Sequence, residues 1–209
     1  MRILLIHGMG RTVLSAFGLA RRLRAEGHEP ETFGYLPLAQ SYASIVDRLA
    51  RRLDRLAAAG PYAAVGHSLG GVLLRSAGAV AKGAPPEVTV MLGTPNQRPR
   101  LAVRLARLWP YRWFTGECGA NLASEAFYAS LPPPRGRTVV VAGTRGPRGR
   151  LSPFGGEPND GIVSVSETRL RDGEPPIEIA AMHTFLMSHA AVREIVGRVL
   201  GELHRVGAP

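Results

Sequence analysis

Ser68 is the residue whose neighbours point most clearly to chemistry. It lies at the centre of a Gly-x-Ser-x-Gly sequence, Gly-His-Ser-Leu-Gly at residues 66–70. The residues before it favour a strand and those after it a helix, so the serine falls in a sharp turn. Only glycine avoids a clash two residues before and two residues after such a turn. The free amides at the start of the helix favour negative charge beside the hydroxyl. We therefore predict that Ser68 is a nucleophile.

A serine hydroxyl needs a base to take its proton, and the base is normally a histidine held by a carboxylate. His183 follows the last predicted strand, where a loop at the carboxyl edge of a sheet can reach the serine. We predict that His183 is the base. His189 is the main competitor, but its place at the start of a helix favours a structural role. His7 and His67 flank other motifs and are expected to pack or hydrogen-bond locally.

Two acids, Glu157 and Asp160, follow the fifth predicted strand. Asp160 is the better candidate, because the turn Asn-Asp-Gly at residues 159–161 projects a carboxylate from a tight bend. The same three residues also suit an ordinary turn without a catalytic role. However, the three candidates occur along the chain in the order Ser68, Asp160, His183. This order of nucleophile, acid and base is the one expected for an enzyme whose serine lies in a strand–turn–helix.

Acyl transfer also needs hydrogen-bond donors for the oxyanion that forms during attack. We expect one donor to be the backbone amide of Leu69, the residue after the nucleophile. The second is expected from Met9, within Ile-His-Gly-Met-Gly at residues 6–10, where two glycines let the backbone turn under the substrate carbonyl. A simple turn between a strand and a helix is the alternative for that segment.

The elements that must position these residues alternate along the chain. Short apolar runs and segments of helical period follow one another, which predicts an α/β fold: a mostly parallel sheet flanked by helices. We predict six strands, at residues 2–7, 29–35, 62–67, 88–92, 138–142 and 176–181. The four main helices are predicted at residues 12–26, 41–58, 69–80 and 188–206. In the first helix the spacing predicts a buried stripe of Val13, Ala16, Phe17, Ala20 and Leu23.

The longest gap between predicted strands contains a predicted helical cap, residues 95–137, within a single domain of residues 1–209. Its apolar residues are candidates to line an acyl pocket or to touch a lipid surface: Leu105, Leu108, Trp109, Trp113 and Phe114. Its arginines are candidates to meet anionic headgroups: Arg98, Arg100, Arg104, Arg107 and Arg112. The alternative is a helix that covers the core with leucines facing inward and arginines in water.

Composition narrows the class of protein. The chain has 209 residues and a net charge of +10, almost all of it from arginines scattered over every segment. Such charge can attract anionic lipid or acidic substrates, but no nucleic-acid-binding motif is present, and we predict no nucleic-acid partner. The single cysteine, Cys118, excludes an internal disulfide. The apolar run at the N-terminus is too short for a signal peptide, and no stretch reaches the ~20 apolar residues of a membrane span. A cytoplasmic location is therefore expected.

Four motifs occur together in a characteristic order. They are residues 6–10, residues 66–71, Leu-Gly-Thr-Pro at residues 92–95, and Asn-Asp-Gly-Ile-Val at residues 159–163 with His183 following. On these motifs the chain resembles the lipase and esterase branch of the alpha/beta-hydrolase superfamily. Because it begins on the strand before the oxyanion loop, it looks like the minimal form seen in small bacterial lipases.

The resemblance implies a serine esterase or lipase acting on a small-molecule or lipid ester. Ser68 would attack the ester carbonyl, His183 would carry protons and Asp160 would hold the imidazole, with no metal or organic cofactor. A thioesterase, an amidase or an acyltransferase would use the same three residues. A non-catalytic binding protein on the same scaffold is the remaining alternative.

Overall fold

The computed structural model describes the backbone of residues 1–206 and the side chains of residues 1–203. Within these residues, six strands form one sheet in the order β2-β1-β3-β4-β5-β6. They are β1 (Arg2–Ile6), β2 (Glu29–Phe33), β3 (Tyr62–His67), β4 (Val88–Leu92), β5 (Thr138–Gly143) and β6 (Ile177–Ile179). All neighbouring strands are parallel. Every strand therefore ends at the same edge of the sheet, here called the carboxyl edge.

Helices cover both faces of this sheet. They are α1 (Phe17–Ala25), α2 (Tyr42–Ala58), α3 (Leu69–Val80), α4 (Arg100–Leu105), α5 (Trp109–Ala123), α6 (Glu125–Ser130), α7 (Val165–Thr168) and α8 (Ala190–Val206). Two 3₁₀ helices span Val13–Ala16 and His183–Ser188. The predicted α/β fold with six strands is confirmed. The ends of the main predicted elements differ from the structure by at most two residues, except that the first helix was predicted from residue 12 and α1 begins at Phe17.

The apolar runs of the strands fill two cores, one on each face. In β1, Leu4 and Ile6 pack with α2 and α3, whereas Ile3 and Leu5 pack with α1 and α8. A parallel strand with helices on both sides has no face toward water, so nearly every residue must be apolar. This explains why these strands could be identified from their sequences.

One predicted buried stripe is wrong in part. The segment from residue 12 to residue 26 begins with the 3₁₀ turn Val13–Ala16, and α1 starts only at Phe17. A 3₁₀ turn has about three residues per turn in place of 3.6, which rotates the following residues. In the 3₁₀ turn, Val13 is 38% exposed. Within α1, Leu19 lies about 200° around the helix from Phe17, so Leu19 packs in the core while Phe17 is 62% exposed.

The predicted cap segment contains α4, α5 and α6. Its α5 is interrupted at Gly116, where a φ of 54° breaks the helix and a Cβ atom would lie 2.9 Å from the carbonyl oxygen of Pro37. The next residue, Glu117, accepts a 2.8 Å hydrogen bond from the amide of Tyr42. Since both partners belong to the segment after β2, α5 lies against the carboxyl edge.

The alternative for the cap, a covering helix with its leucines facing inward, is not what the structure shows. The helix α4 has only six residues, and the side chain it buries is Ala102, while Leu108 beyond its end is 53% exposed. The short helix ends before a full apolar stripe can form. No helix in the described part of the chain is long and apolar enough to cross a membrane.

Candidate active site

The turn between β3 and α3 holds Ser68 in a strained conformation. Its φ of 52° and ψ of −122° make it the only non-glycine residue of the described chain with a positive φ. A Cβ atom on Gly66 would lie 2.7 Å from the backbone of Gly71, and one on Gly70 would lie 2.6 Å from the carbonyl oxygen of Ile6. Both glycines are therefore required by the close backbone packing around the serine. Such strain is characteristic of functional turns.

Asp160 and His183 form a tight pair at the carboxyl edge. The distance between Asp160 Oδ2 and His183 Nδ1 is 2.6 Å, and the carboxylate is 1% exposed. The other carboxylate oxygen accepts hydrogen bonds from the amides of Ile162 and Val163, at 2.9 and 2.8 Å. The carboxylate therefore accepts a hydrogen bond from the Nδ1–H of the imidazole and leaves Nε2 as a proton acceptor.

Two contacts bring this pair next to the nucleophile. The amide of Ser68 donates to the carbonyl oxygen of Leu92 at 2.9 Å, at the end of β4. The following residue, Gly93, has a φ of 54°, and a Cβ atom there would lie 3.0 Å from Asp160 Oδ2 and 3.1 Å from His183 Nδ1. The serine and the acid–base pair thus lie on either side of the exit from β4. Gly93 was part of the Gly-Thr-Pro motif, but its role as the spacer between them was not predicted.

His67 connects the serine turn with the segment His183–Ser188, here called the base loop after the role predicted for His183. Its Nε2 lies 3.0 Å from the carbonyl oxygen of His183, and the two rings are 4.8 Å apart. Burial, and then the nearby His183, lower the pKa of His67 well below 6.5, so the ring is neutral. A neutral ring with hydrogen on Nε2 donates to that carbonyl. The sequence predicted only local packing for this residue.

A second contact holds the base loop from the other side of the site. The guanidinium of Arg11, in the segment after β1, donates to the carbonyl oxygen of Thr184. His7 in the same segment stacks on Tyr35 at 4.3 Å, and burial lowers the pKa of His7. Neither contact has a signal in the sequence, because the partners are far apart along the chain.

The two predicted oxyanion donors lie on either side of the serine. Leu69 is the first residue of α3, and Met9 follows Gly8, at which a Cβ atom would lie 3.0 Å from the Cβ of Ser68. The backbone amides of Met9 and Leu69 donate no hydrogen bond to any of the described residues. Both amides are therefore available to a ligand at Ser68.

The competing candidates have other partners. Glu157 forms an ion pair with Arg100 and accepts from the amide of Ser166. Partial burial raises the pKa of Glu157. Its hydrogen bonds with Ser166 and Arg100 together lower the pKa by more, so the net shift is downward. His189 caps α8, with Nδ1 accepting from the amide of Ala191 at 3.3 Å. Both side chains hold loops in place.

The candidate substrate residues of the cap are mostly on the surface. Leu105 is partly buried, and the other four are exposed by more than half: Leu108, Trp109, Trp113 and Phe114. Arg98 is paired with Glu125 and Arg100 with Glu167, whereas Arg104, Arg107 and Arg112 are exposed. Cys118 is buried, and burial raises the pKa of its thiol to about 11. In the described part of the chain, no cluster of three histidine, cysteine or acidic side chains could hold a metal ion.

A parallel sheet with a strained serine turn and a hydrogen-bonded Asp160–His183 pair at its carboxyl edge is characteristic of hydrolases of the α/β class. The sequence matches the alpha/beta hydrolase family over residues 3–204, and the chain belongs to that family. A search of curated proteins finds no significant relative.

Solved structures share the same fold at low sequence identity. A lipase of Bacillus licheniformis superposes with a TM-score of 0.73 at 19% identity, over 95% of this chain and 91% of that one. A thioesterase from the prodiginine biosynthetic pathway of Streptomyces coelicolor has a TM-score of 0.63 at 15% identity, covering 95% and 88%. The NocB thioesterase domain from the nocardicin cluster has a TM-score of 0.60 at 16% identity, covering 96% and 93%.

Proposed function

We propose that the protein hydrolyses carboxylic esters through Ser68, His183 and Asp160. The observation that carries this proposal is the 2.6 Å hydrogen bond between Asp160 and His183 beside the strained turn of Ser68. The bond leaves His183 Nε2 free to accept a proton, which is what activation of a serine hydroxyl requires.

In the first half of the reaction, Ser68 Oγ attacks the carbonyl carbon of the ester while its proton passes to His183 Nε2. The carbonyl electron pair moves onto oxygen, where the amides of Met9 and Leu69 donate hydrogen bonds. When the carbonyl reforms, the bond to the alcohol oxygen breaks, and that oxygen takes the proton from His183. The alcohol leaves, and the acyl group remains on Ser68.

In the second half, water replaces the alcohol. His183 takes a proton from water as its oxygen attacks the acyl carbonyl, and the bond to Ser68 Oγ then breaks with return of the proton to the serine. The products are the carboxylic acid and the free enzyme. Asp160 stays ionised throughout and stabilises the protonated imidazole.

Exposed apolar side chains at the carboxyl edge favour esters with apolar acyl groups, presented in an aggregate or a membrane surface. We call these side chains the apolar rim: Val13, Leu14, Phe17, Leu36, Leu38, Trp113, Phe114, Met182 and Phe185, all more than a third exposed. The other large exposed apolar side chains of the described residues are Val80, Leu108, Trp109, Leu151, Ile162 and Ile177. Apolar surface concentrated in one region indicates an interaction site.

The segments that carry the rim touch one another around the edge. A Cβ atom on Gly34, after β2, would lie 3.3 Å from the side chain of Val13, after β1. Arg11 links the β1 segment to Thr184, beside Phe185. Together with the net charge of +10, this arrangement suits transient contact with an anionic lipid surface.

Hydrolysis of a p-nitrophenyl ester series from short to long acyl chains tests the reaction, with Ser68→Ala measured under the same conditions. We expect serine-dependent turnover that increases with acyl length. An oxygen ester and a thioester of one acyl group, compared at equal concentration, separate an esterase from a thioesterase. Addition of an alcohol acceptor separates a hydrolase from an acyltransferase. Absence of turnover on every substrate would contradict the proposal and favour a binding protein.

The rim has its own test, with long-chain esters in anionic vesicles and a soluble short-chain ester as substrates. Trp113→Gln is expected to lower activity on the vesicles and to leave the soluble ester unaffected. Val80→Gln is the matched control, because Val80 is 53% exposed but lies at the far end of α3. Equal effects of the two variants would contradict a role for the rim.

A further inference from the structure

A cavity of about 820 Å³ lies away from the catalytic residues. It is bounded by the side chain of Arg75 on α3, by Tyr128 on α6, and by the segments that precede β5 and β6. Its volume falls within the range of roughly 300–1,000 Å³ that is typical of sites for small organic molecules. Ser68, Asp160, His183 and Met9 do not line it.

Arg75 places a buried positive charge at this cavity without an acidic partner in the described part of the chain. The residue is 8% exposed, and its acceptors are all neutral: the carbonyl oxygens of Leu131, Pro132 and Asn96, and the side-chain oxygen of Asn96. Only one of the two Nη2 hydrogens is used, in the 3.1 Å bond to Leu131. A buried charge that lacks a counter-ion is costly, and an anionic ligand would supply one.

Tyr128 offers a second donor at the same place. Its hydroxyl is buried and has no hydrogen-bond partner among the described residues, although buried tyrosine hydroxyls usually have one. Burial raises the pKa of Tyr128 well above 10, while nearby Arg75 lowers it less, so the hydroxyl keeps its hydrogen. Arg75 and Tyr128 both line the cavity, and both have a hydrogen to donate.

Three arginines and two acids line the cavity, so its charges are positive by one: Arg75, Arg98 and Arg171 against Glu125 and Asp172. Arg98 is paired at 2.8 Å with Glu125, which leaves Arg171 and Asp172 beside the buried Arg75. Arg171 forms no ion pair in the described part of the chain. The rest of the wall is largely apolar and includes Leu131, Pro133, Pro134 and Leu170.

We propose that this cavity binds a small organic carboxylate with an apolar body. The carboxylate has two oxygens, which match the two free donors, one on Arg75 Nη2 and one on Tyr128, and its single charge balances the buried guanidinium. The apolar body lies against Leu131 and Leu170. A phosphate monoester carries more charge and three terminal oxygens, for which the buried end of the cavity offers too few donors.

Calorimetric titration with octanoate tests this site, using octan-1-ol and octyl phosphate as matched probes. We expect octanoate to bind and octan-1-ol to bind at least about tenfold more weakly, because it cannot balance the charge. Tyr128→Phe is expected to weaken octanoate by about tenfold and Arg171→Gln by a smaller factor. His183→Ala, which alters the catalytic end, is expected to leave the affinity unchanged.

Several outcomes would overturn the proposal. They are no octanoate binding at millimolar concentration, equal binding of octan-1-ol, tighter binding of octyl phosphate, or an unchanged affinity in Tyr128→Phe. A loss of affinity in His183→Ala alone would place the octanoate at the catalytic serine. The ligand-free melting temperature gives an independent check, since Tyr128→Phe removes a hydroxyl without a partner and is expected not to lower it. A marked decrease would show that the hydroxyl is already satisfied within the protein.

Discussion

The serine turn and the acid–base pair reach one site by different means. Ser68 is positioned by local sterics, because glycines at residues 66 and 70 let β3, α3 and β1 approach within contact distance. Asp160 and His183 are positioned by hydrogen bonds between segments that are far apart in the chain. The serine turn therefore depends on a few adjacent residues, whereas the Asp160–His183 pair depends on the assembled tertiary structure.

Loss of the acid–base pair tests this contrast most strongly. His183→Ala is expected to lower kcat by about 10⁴-fold or more, and Asp160→Asn by about 10⁴-fold, because the base is lost in one variant and its orientation in the other. The measurement is steady-state ester hydrolysis. His189→Ala is the control and should retain activity, since His189 caps α8. A comparable loss in His189→Ala would show that the base is wrongly assigned.

The steric positioning of Ser68 by neighbouring glycines is tested by Gly70→Ala. The added Cβ atom would lie 2.6 Å from the carbonyl oxygen of Ile6 and 2.8 Å from that of His7, so the backbone must move. We expect a loss of at least about 3 kcal/mol in the free energy of unfolding, measured by urea denaturation.

Gly78→Ala is the matched control in the same helix. Its Cβ atom would lie 3.9 Å from the nearest side-chain atom, an ordinary contact. We expect a gain of about 0.5–1 kcal/mol there, because alanine is a better helix former than glycine. Similar losses in both variants would mean that α3 tolerates no methyl group anywhere, and that the serine turn is not special.

The positioning of His183 by hydrogen bonds from distant segments is tested by His67→Phe. This variant keeps an aromatic ring and removes the donor to the carbonyl oxygen of His183. As His67 is argued to position the base loop, we expect kcat to fall about tenfold while KM changes little. The kcat and KM values of a soluble ester provide the measurement. His67→Gln can restore a donor and should recover part of the loss. A change confined to KM would argue against this positioning role.

The smallest expected effect is a pH dependence of stability. Burial lowers the pKa of His67 well below 6.5 in the folded protein, while the unfolded chain binds a proton near 6.5. The unfolded state therefore holds more protons below that pH, and stability falls as the solution is acidified. We expect His67 to contribute on the order of 1–2 kcal/mol of this loss between pH 7 and pH 5.

Melting temperatures of the wild type and His67→Phe across that pH range measure the contribution. The variant should start lower at pH 7 and lose less on acidification. His7, whose pKa burial also lowers, remains in both proteins and accounts for part of the residual slope. Parallel curves would show that His67 takes up its proton equally in the folded and unfolded states.

Much of the fold could be predicted because buried parallel strands must be apolar along their whole length. The bounds of β3, α3 and β4 agree with the sequence prediction, since each is an uninterrupted apolar run or a clear helical stripe. The first helix was predicted to begin at residue 12, whereas α1 begins at Phe17. Periodicity does not distinguish a 3₁₀ turn from a helical turn. In the cap segment, the alternative with inward leucines does not hold, because α4 is too short to form an apolar stripe.

By itself, the sequence determined the nucleophile turn and the order of the candidate catalytic residues, because these depend on glycine spacing and on neighbours in the chain. Only the tertiary structure decided the contacts of His67 and Arg11 with the base loop and the spacing role of Gly93. It also decided that, among the described residues, Arg75 has only neutral acceptors and the Tyr128 hydroxyl has no hydrogen-bond partner. Each of these depends on which distant segment lies opposite a side chain. The order of residue types along the chain does not specify that pairing.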